Sequence, residues 1–172
     1  MGWTAPRTWV TGEVVSKTIM DTHLRDNLNY LLASRPTTTK HAAFTAYAAA
    51  NTSFADVDAA AAFITHVTES GRVLIIVSVS VLSATNSAGP NWGALDLIAD
   101  SPSARMGDTT YGLITVPNAS AVAAASFVGI ATGLTIGSRT FKLQARSQGS
   151  ANVNVGAGGT GQAIFHAVAM DI

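Results

Sequence analysis

Cysteine is absent from all 172 residues, which excludes disulfides and thiolate metal sites. Charge is also scarce. Only 12% of the residues are charged, about half the usual share for a soluble domain, while 48% are hydrophobic. A surface so thinly charged is poorly protected against association, so burial in an oligomer is the simpler reading. The ten basic and ten acidic side chains cancel, and with no basic field to displace counterions from phosphates a nucleic-acid partner is not expected.

Long apolar runs are missing too. The two long uncharged stretches, 109–138 and 147–170, are interrupted by Pro117, Asn118, Gly129 and Gly133 and by a Gly/Asn/Ser loop. Neither supplies the roughly 20 consecutive apolar residues of a spanning helix. No basic segment followed by an apolar run marks a signal peptide, so the sequence predicts a soluble chain without membrane insertion.

What is present divides the chain in two. Residues 1–15 read as extended, with Pro6, Gly12 and the Val14-Val15 pair. Ser16 is positioned as the N-cap of a helix of about 18 residues that Pro36 ends. Ile19, Met20, Leu24, Leu28, Leu31 and Leu32 recur at helical spacing on one face. Lys17–Asp21 and Asp21–Arg25 are opposite charges four apart, each contributing about 0.2–0.5 kcal/mol. Burial of the large aliphatic side chains, about 1.5–3 kcal/mol apiece, decides where such a helix sits. Asn27 has two readings. As a core position between Leu24 and Leu31 it would set register between helices; otherwise it is solvated.

After the polar segment 35–41, taken as a linker, the period changes to two. In 73–82, Val77, Val79 and Val81 alternate with Ser78 and Ser80; in 140–146, Phe141, Leu143 and Ala145 alternate with Lys142, Gln144 and Arg146. Further strands are expected near 44–47, 63–67, 94–98, 111–116, 121–130, 151–155 and 163–170, separated by Gly/Pro/Asn turns. The fold class predicted is mainly β: an arm and helix over 1–34, then an antiparallel sandwich over 42–172, a jelly roll.

No motif brings catalysis with it, and the chain is read as a non-enzyme with no cofactor and no metal. Gly156, Gly158 and Gly161 match GxGxxG, but a strand rather than a helix is expected after them, which removes the phosphate-binding mechanism. Asp56 with Asp58, and Asp96 with Asp100, are isolated carboxylate pairs, unlike a calcium loop. His23, His41, His66 and His166 show no metal spacing. A triad of one histidine, an aspartate and a hydroxyl is open on sequence grounds, although nothing like GxSxG supports it. Phe44, Phe63, Phe127, Phe141 and Phe165 read as core. Trp92 and Tyr111 fall at loop edges near Asn and Asp, the composition that stacks on sugars, or else cover the end of the sandwich.

The segment WTAPRTWVTGEVV from Trp3 to Val15, followed by MDTHLRDNL from Met20 to Leu28, resembles a signature at the start of small virion proteins of tailed phages, with Asp21 where Asn is commoner. The run SRTFKLQAR from Ser138 to Arg146 is similar to the late strands of tumour-necrosis-factor/complement-like trimeric jelly rolls. These resemblances imply a virion structural protein, a homotrimer made in the host cytoplasm and carried on the particle surface as a capsid decoration, short spike or tail knob. Trp3, Trp9, Met20, Leu24, Asn27, Leu28 and Leu31 would then serve docking on other virion proteins or oligomerisation. Trp92 and Tyr111 would serve the alternative, contact with a host glycan.

Overall fold

A computed structural model describes residues 4–5, 7–33, 35–41, 47–49, 52–58, 60–82, 92–117, 122–147, 153–155 and 165–172. One helix, α1, runs through Lys17–Met20, Asp21–Asp26 and Asn27–Ala33, its middle piece widened to π-helical turns, a form that often marks functional helices. Twelve strands follow among the described residues. They are β1 (Thr37–His41), β2 (Tyr47–Ala49), β3 (Ala55–Asp56), β4 (Phe63–Thr68), β5 (Val73–Leu82), β6 (Trp92–Asp100), β7 (Ser103–Arg105), β8 (Ile114–Pro117), β9 (Val122–Ala131), β10 (Gly137–Ser147), β11 (Val153–Val155) and β12 (Phe165–Asp171).

The strands form two antiparallel sheets. In the first, β5 lies between β12 and β9, with β1 outside β12, while β11 and β2 continue beside the end of β5. In the second, β10 is central, flanked by β4 and β3 on one side and by β6 on the other, with β7 and β8 beyond β6. Among the eight strands of four or more residues, the chain passes from one sheet to the other at six of seven steps, β1 to β4, β4 to β5, β5 to β6, β8 to β9, β9 to β10 and β10 to β12. That interleaving is a jelly roll.

The alternation that predicts the strands also builds the core. Val73, Ile75, Val77 and Val79 from β5 meet Leu95 and Leu97 from β6, Phe141 and Leu143 from β10 and Phe165 from β12, all fully buried. Phe127 joins them, Phe63 is half-buried, and Phe44 lies outside the described residues.

The linker expected over 35–41 is corrected. Thr37–His41 is strand β1, paired in register from Thr37 opposite Ala169 to His41 opposite Phe165. Three consecutive β-branched threonines favour an extended backbone, and a polar edge strand is solvated on one face, so polarity alone does not distinguish it from a linker. Tyr111 and its neighbours also depart from expectation: β8 begins only at Ile114, and residues 108–112 close a turn through the Asp108–Gly112 bridge.

The outer face of the first sheet is apolar over part of its area. Ile76, Val128 and Ile130 are each 41–51% exposed, and Ile76 pairs with Val128. Beside them Ser78 and Ser126 join hydroxyls at 3.1 Å, and Ala124 is exposed. Ala125, the next residue of β9, points into the core.

Candidate functional site

The Ser16 hydroxyl caps α1 by accepting the Ile19 N–H at 3.3 Å, and Lys17 and Arg25 both pair with Asp21 across one turn. Arg25 also bonds Asp26, which raises its already high pKa further. Ahead of the helix, Gly12 takes a positive φ of 84° in a turn closed by the Glu13 N–H on the Val10 carbonyl. The Glu13 carboxylate pairs with Arg7, whose guanidinium lies over the Trp9 ring at 5.7 Å.

Asn27 ties the two pieces together. Its Oδ1 accepts the Thr4 N–H at 3.0 Å, and its Nδ2 donates to the Thr4 carbonyl at 3.0 Å and to the His23 carbonyl at 3.3 Å. It is buried, yet neither solvated nor waiting for another helix: its amide is satisfied by its own chain. The role of Asn27 as an interhelical register residue is therefore replaced by that of a buckle holding the arm on the helix. At about 0.5–1.5 kcal/mol per hydrogen bond, Asn27→Ala is expected to weaken arm docking by about 1–3 kcal/mol. Proteolysis within residues 4–15 should quicken while the melting of the sandwich is unchanged.

Arm and helix enclose an open groove of about 240 Å³ lined by Arg7, Trp9, His23, Leu24, Leu28 and Leu31, with Asn27 in its floor. Leu24 is 45% exposed and Leu28 63%, and Trp9, Met20 and Leu31 are exposed to a similar degree. Among the described residues α1 makes no extensive contact with any strand. The structure thus brings Trp9, Leu24, Leu28 and Leu31 together around one accessible groove, and Met20 is exposed one turn ahead of Leu24 on the same helix. Trp3 lies outside the described residues.

A second cluster sits on the outer face of the second sheet. Trp92 and Tyr111 come together at 5.3 Å between ring centroids, inclined by 32°. Arg146 lies over Trp92 at 5.4 Å and over Phe54 at 5.7 Å, and Arg105 over Phe54 at 4.2 Å. The sequence reading missed Phe54, which sits outside any alternating run; its one signal was a lone aromatic in a polar stretch. Gly112 makes room for it: a side chain there would begin 2.4 Å from the Leu95 carbonyl oxygen and 3.0 Å from the Phe54 ring, at a φ of +64°.

Carboxylates hold the ladder in place. Asp96, buried, accepts the Leu97 and Gly107 N–H groups and pairs with Arg105 at 3.2 Å; burial raises its pKa against these donors. Asp108 caps the turn by accepting the Tyr111 and Thr110 N–H groups, which lower its pKa. Asp56 accepts from Lys142 at 3.1 Å and Gln144 at 2.8 Å. These aspartates serve sheet and turn geometry. Trp92 is approached by both Tyr111 and Arg146, so Tyr111, 57% exposed, is the ladder's accessible end.

One hydroxyl–imidazole–carboxylate array does exist. His66 Nδ1 is 2.9 Å from Thr37 Oγ1, and its Nε2 is 3.6 Å from Asp171 Oδ1. The imidazole has no exposed surface, so a substrate atom cannot reach it. His166 is exposed on the opposite, outward face of β12. Residues 156–161 of the GxGxxG match lie outside the described set, and the segment that follows, β12, is a strand. No three described His, Asp or Glu side chains are grouped to hold a metal ion, and no described helix is long and apolar enough to cross a membrane.

No protein-family model matches the chain, and no curated protein is significantly similar to it.

Proposed function

We propose that the protein is a non-enzymatic structural component of a phage particle, anchored by its arm and helix and displaying the jelly roll outward. The observation that carries this reading is the exposed stripe of Met20, Leu24 and Leu28 beside the Trp9 groove, on a helix that makes no extensive contact with any strand among the described residues. Burying such side chains contributes about 1.5–3 kcal/mol each, so an accessible row of them favours association with another surface. That surface belongs to another virion protein of capsid or tail. The heads associate as a homotrimer through the outer face of the first sheet, where Ile76, Val128 and Ile130 supply apolar area and Ser78, Ser126 and Ala124 allow close approach.

The test is co-sedimentation of the protein with phage particles. The chain carrying Leu24→Asp and Leu28→Asp should fold and fail to attach; undiminished attachment would overturn the reading.

A second reading, contact with a host glycan, is favoured by the juxtaposition of Trp92 with the exposed Tyr111. Cell adsorption by a Tyr111→Ala variant separates the two. Loss of adsorption with attachment to particles intact supports the glycan contact, and unchanged adsorption removes it.

A further inference from the structure

We propose that the outer edge of β9 is a strand-accepting site, and that its occupant is the extended arm segment 13–16 of a second copy of the chain. The proposal rests on the reading that the heads associate, and supplies the backbone contact between them.

β9 pairs with β5 over its whole length, from Val122 to Ala131, and among the described strands nothing pairs its other side. In an antiparallel strand every other residue turns its N–H and C=O away from the paired neighbour. The free side of β9 is therefore a row of donors and acceptors, a template for one more strand. Edges are ordinarily blunted by shortness, charge, proline or cover. The other edges here follow that rule: β2, β3 and β7 have two or three residues, β8 ends at Pro117, β1 carries Lys40, and β4 lies against β1 and β12. β9 has no charge and no proline. At its end Ile130, Ala131 and Thr132 line, with Ala104, Arg105 and Met106, an open groove of about 250 Å³, room for an apolar side chain of the incoming strand.

The arm offers what such an edge takes up. Residues 13–16 run extended into α1, with Ser16 at φ −81° and ψ 159°. Val14 is 85% exposed and Val15 46%, and neither N–H has a hydrogen-bond partner among the described residues. β-Branched side chains gain from a half-buried pleated surface, so these two valines are better placed in a sheet than in water. Charge is matched as well. Glu13 is already paired with Arg7, so the segment brings no unbalanced charge to an uncharged strand. Its own head is not the acceptor: Asn27 holds the arm on α1, which makes no extensive contact with any strand among the described residues. Docked on a neighbour, one of the two valines stands beside Val128 and Ile130 and widens the apolar outer face. The leucine stripe of α1 stays open.

Because the chain has no cysteine, disulfide trapping tests the pairing cleanly. Full-length chains carrying Val14→Cys or Val15→Cys are mixed under mild oxidation with chains carrying one cysteine at Ala124, Ser126, Val128 or Ile130, all on the exposed face of β9. Thr109→Cys, exposed in the turn after β7, is the reference. Each chain holds a single cysteine, so a bond between the two kinds joins separate copies. A disulfide needs Cα atoms about 4.4–6.8 Å apart, so one outer-face position should stand out from its neighbours. There the mixed dimer should form about tenfold faster than with Thr109→Cys, the effect of a raised local concentration. Equal rates at Thr109 and at all four β9 positions overturn the proposal. Light scattering separates it from the reading beneath it: an associated chain without the arm–β9 bond refutes the strand pairing alone, and a single copy refutes both.

Discussion

Phe141→Ala is expected to destabilise the protein by about 3–5 kcal/mol, the usual cost of emptying a fully buried aromatic site. Phe141 has no exposed surface and stands on the central strand of the second sheet, opposite Ile64 of β4 and Ala99 of β6. Its ring lies where the cores of both sheets meet, between strands paired on both sides, so the backbone cannot close on the void. Total stabilities of domains this size are about 5–15 kcal/mol, so the change removes a large fraction. Urea unfolding followed by fluorescence checks it: the midpoint should fall with the slope unchanged, since the surface exposed on unfolding is the same. A loss under 1 kcal/mol would mean that the two sheets are not packed as described.

Leu24→Asp combined with Leu28→Asp should do the reverse, with little effect on the fold and a large effect on association. Both leucines are about half exposed or more, and the helix rests on no strand among the described residues. Surface changes of this kind stay within about 0.5 kcal/mol for the head, and the lower helix propensity of Asp adds a few tenths per site. In an interface the same side chains become buried charges. At about 2 kcal/mol for each central contact, attachment should weaken roughly a thousandfold. Equal unfolding midpoints alongside lost co-sedimentation distinguish an anchor from a structural helix; a head that unfolds with the substitutions assigns α1 to the core instead.

The fold was legible wherever apolar residues alternate. Val73–Leu82 has the bounds its Val/Ser pattern marks, and Ser16 caps α1 as its position before the leucine stripe implies. Segments whose role comes from a distant partner were not legible. β1 is three threonines, a lysine and a histidine, and only its pairing with β12 makes it a strand. Asn27 was seen as a polar residue on an apolar face, but Thr4, which satisfies it, lies 23 positions away and carries no pattern of its own. Phe54 belongs to a ladder assembled from four other segments, and His66 and Asp171 are separated by 105 residues until β4 and β12 meet. The jelly-roll order itself follows from pairings such as β5 with β9 and with β12, which no local window contains.

Peroxide oxidation of Met20, followed by peptide mass in chain dilute enough to be a single copy, asks most directly whether the leucine stripe is left open by its own head. Met20 is 44% exposed and shares that stripe. The account predicts reaction at close to the rate of an unfolded peptide, with slowing only once the chain docks on particles. Protection of Met20 in the isolated single copy would mean that the helix is covered by its own chain, and would contradict the proposed anchor.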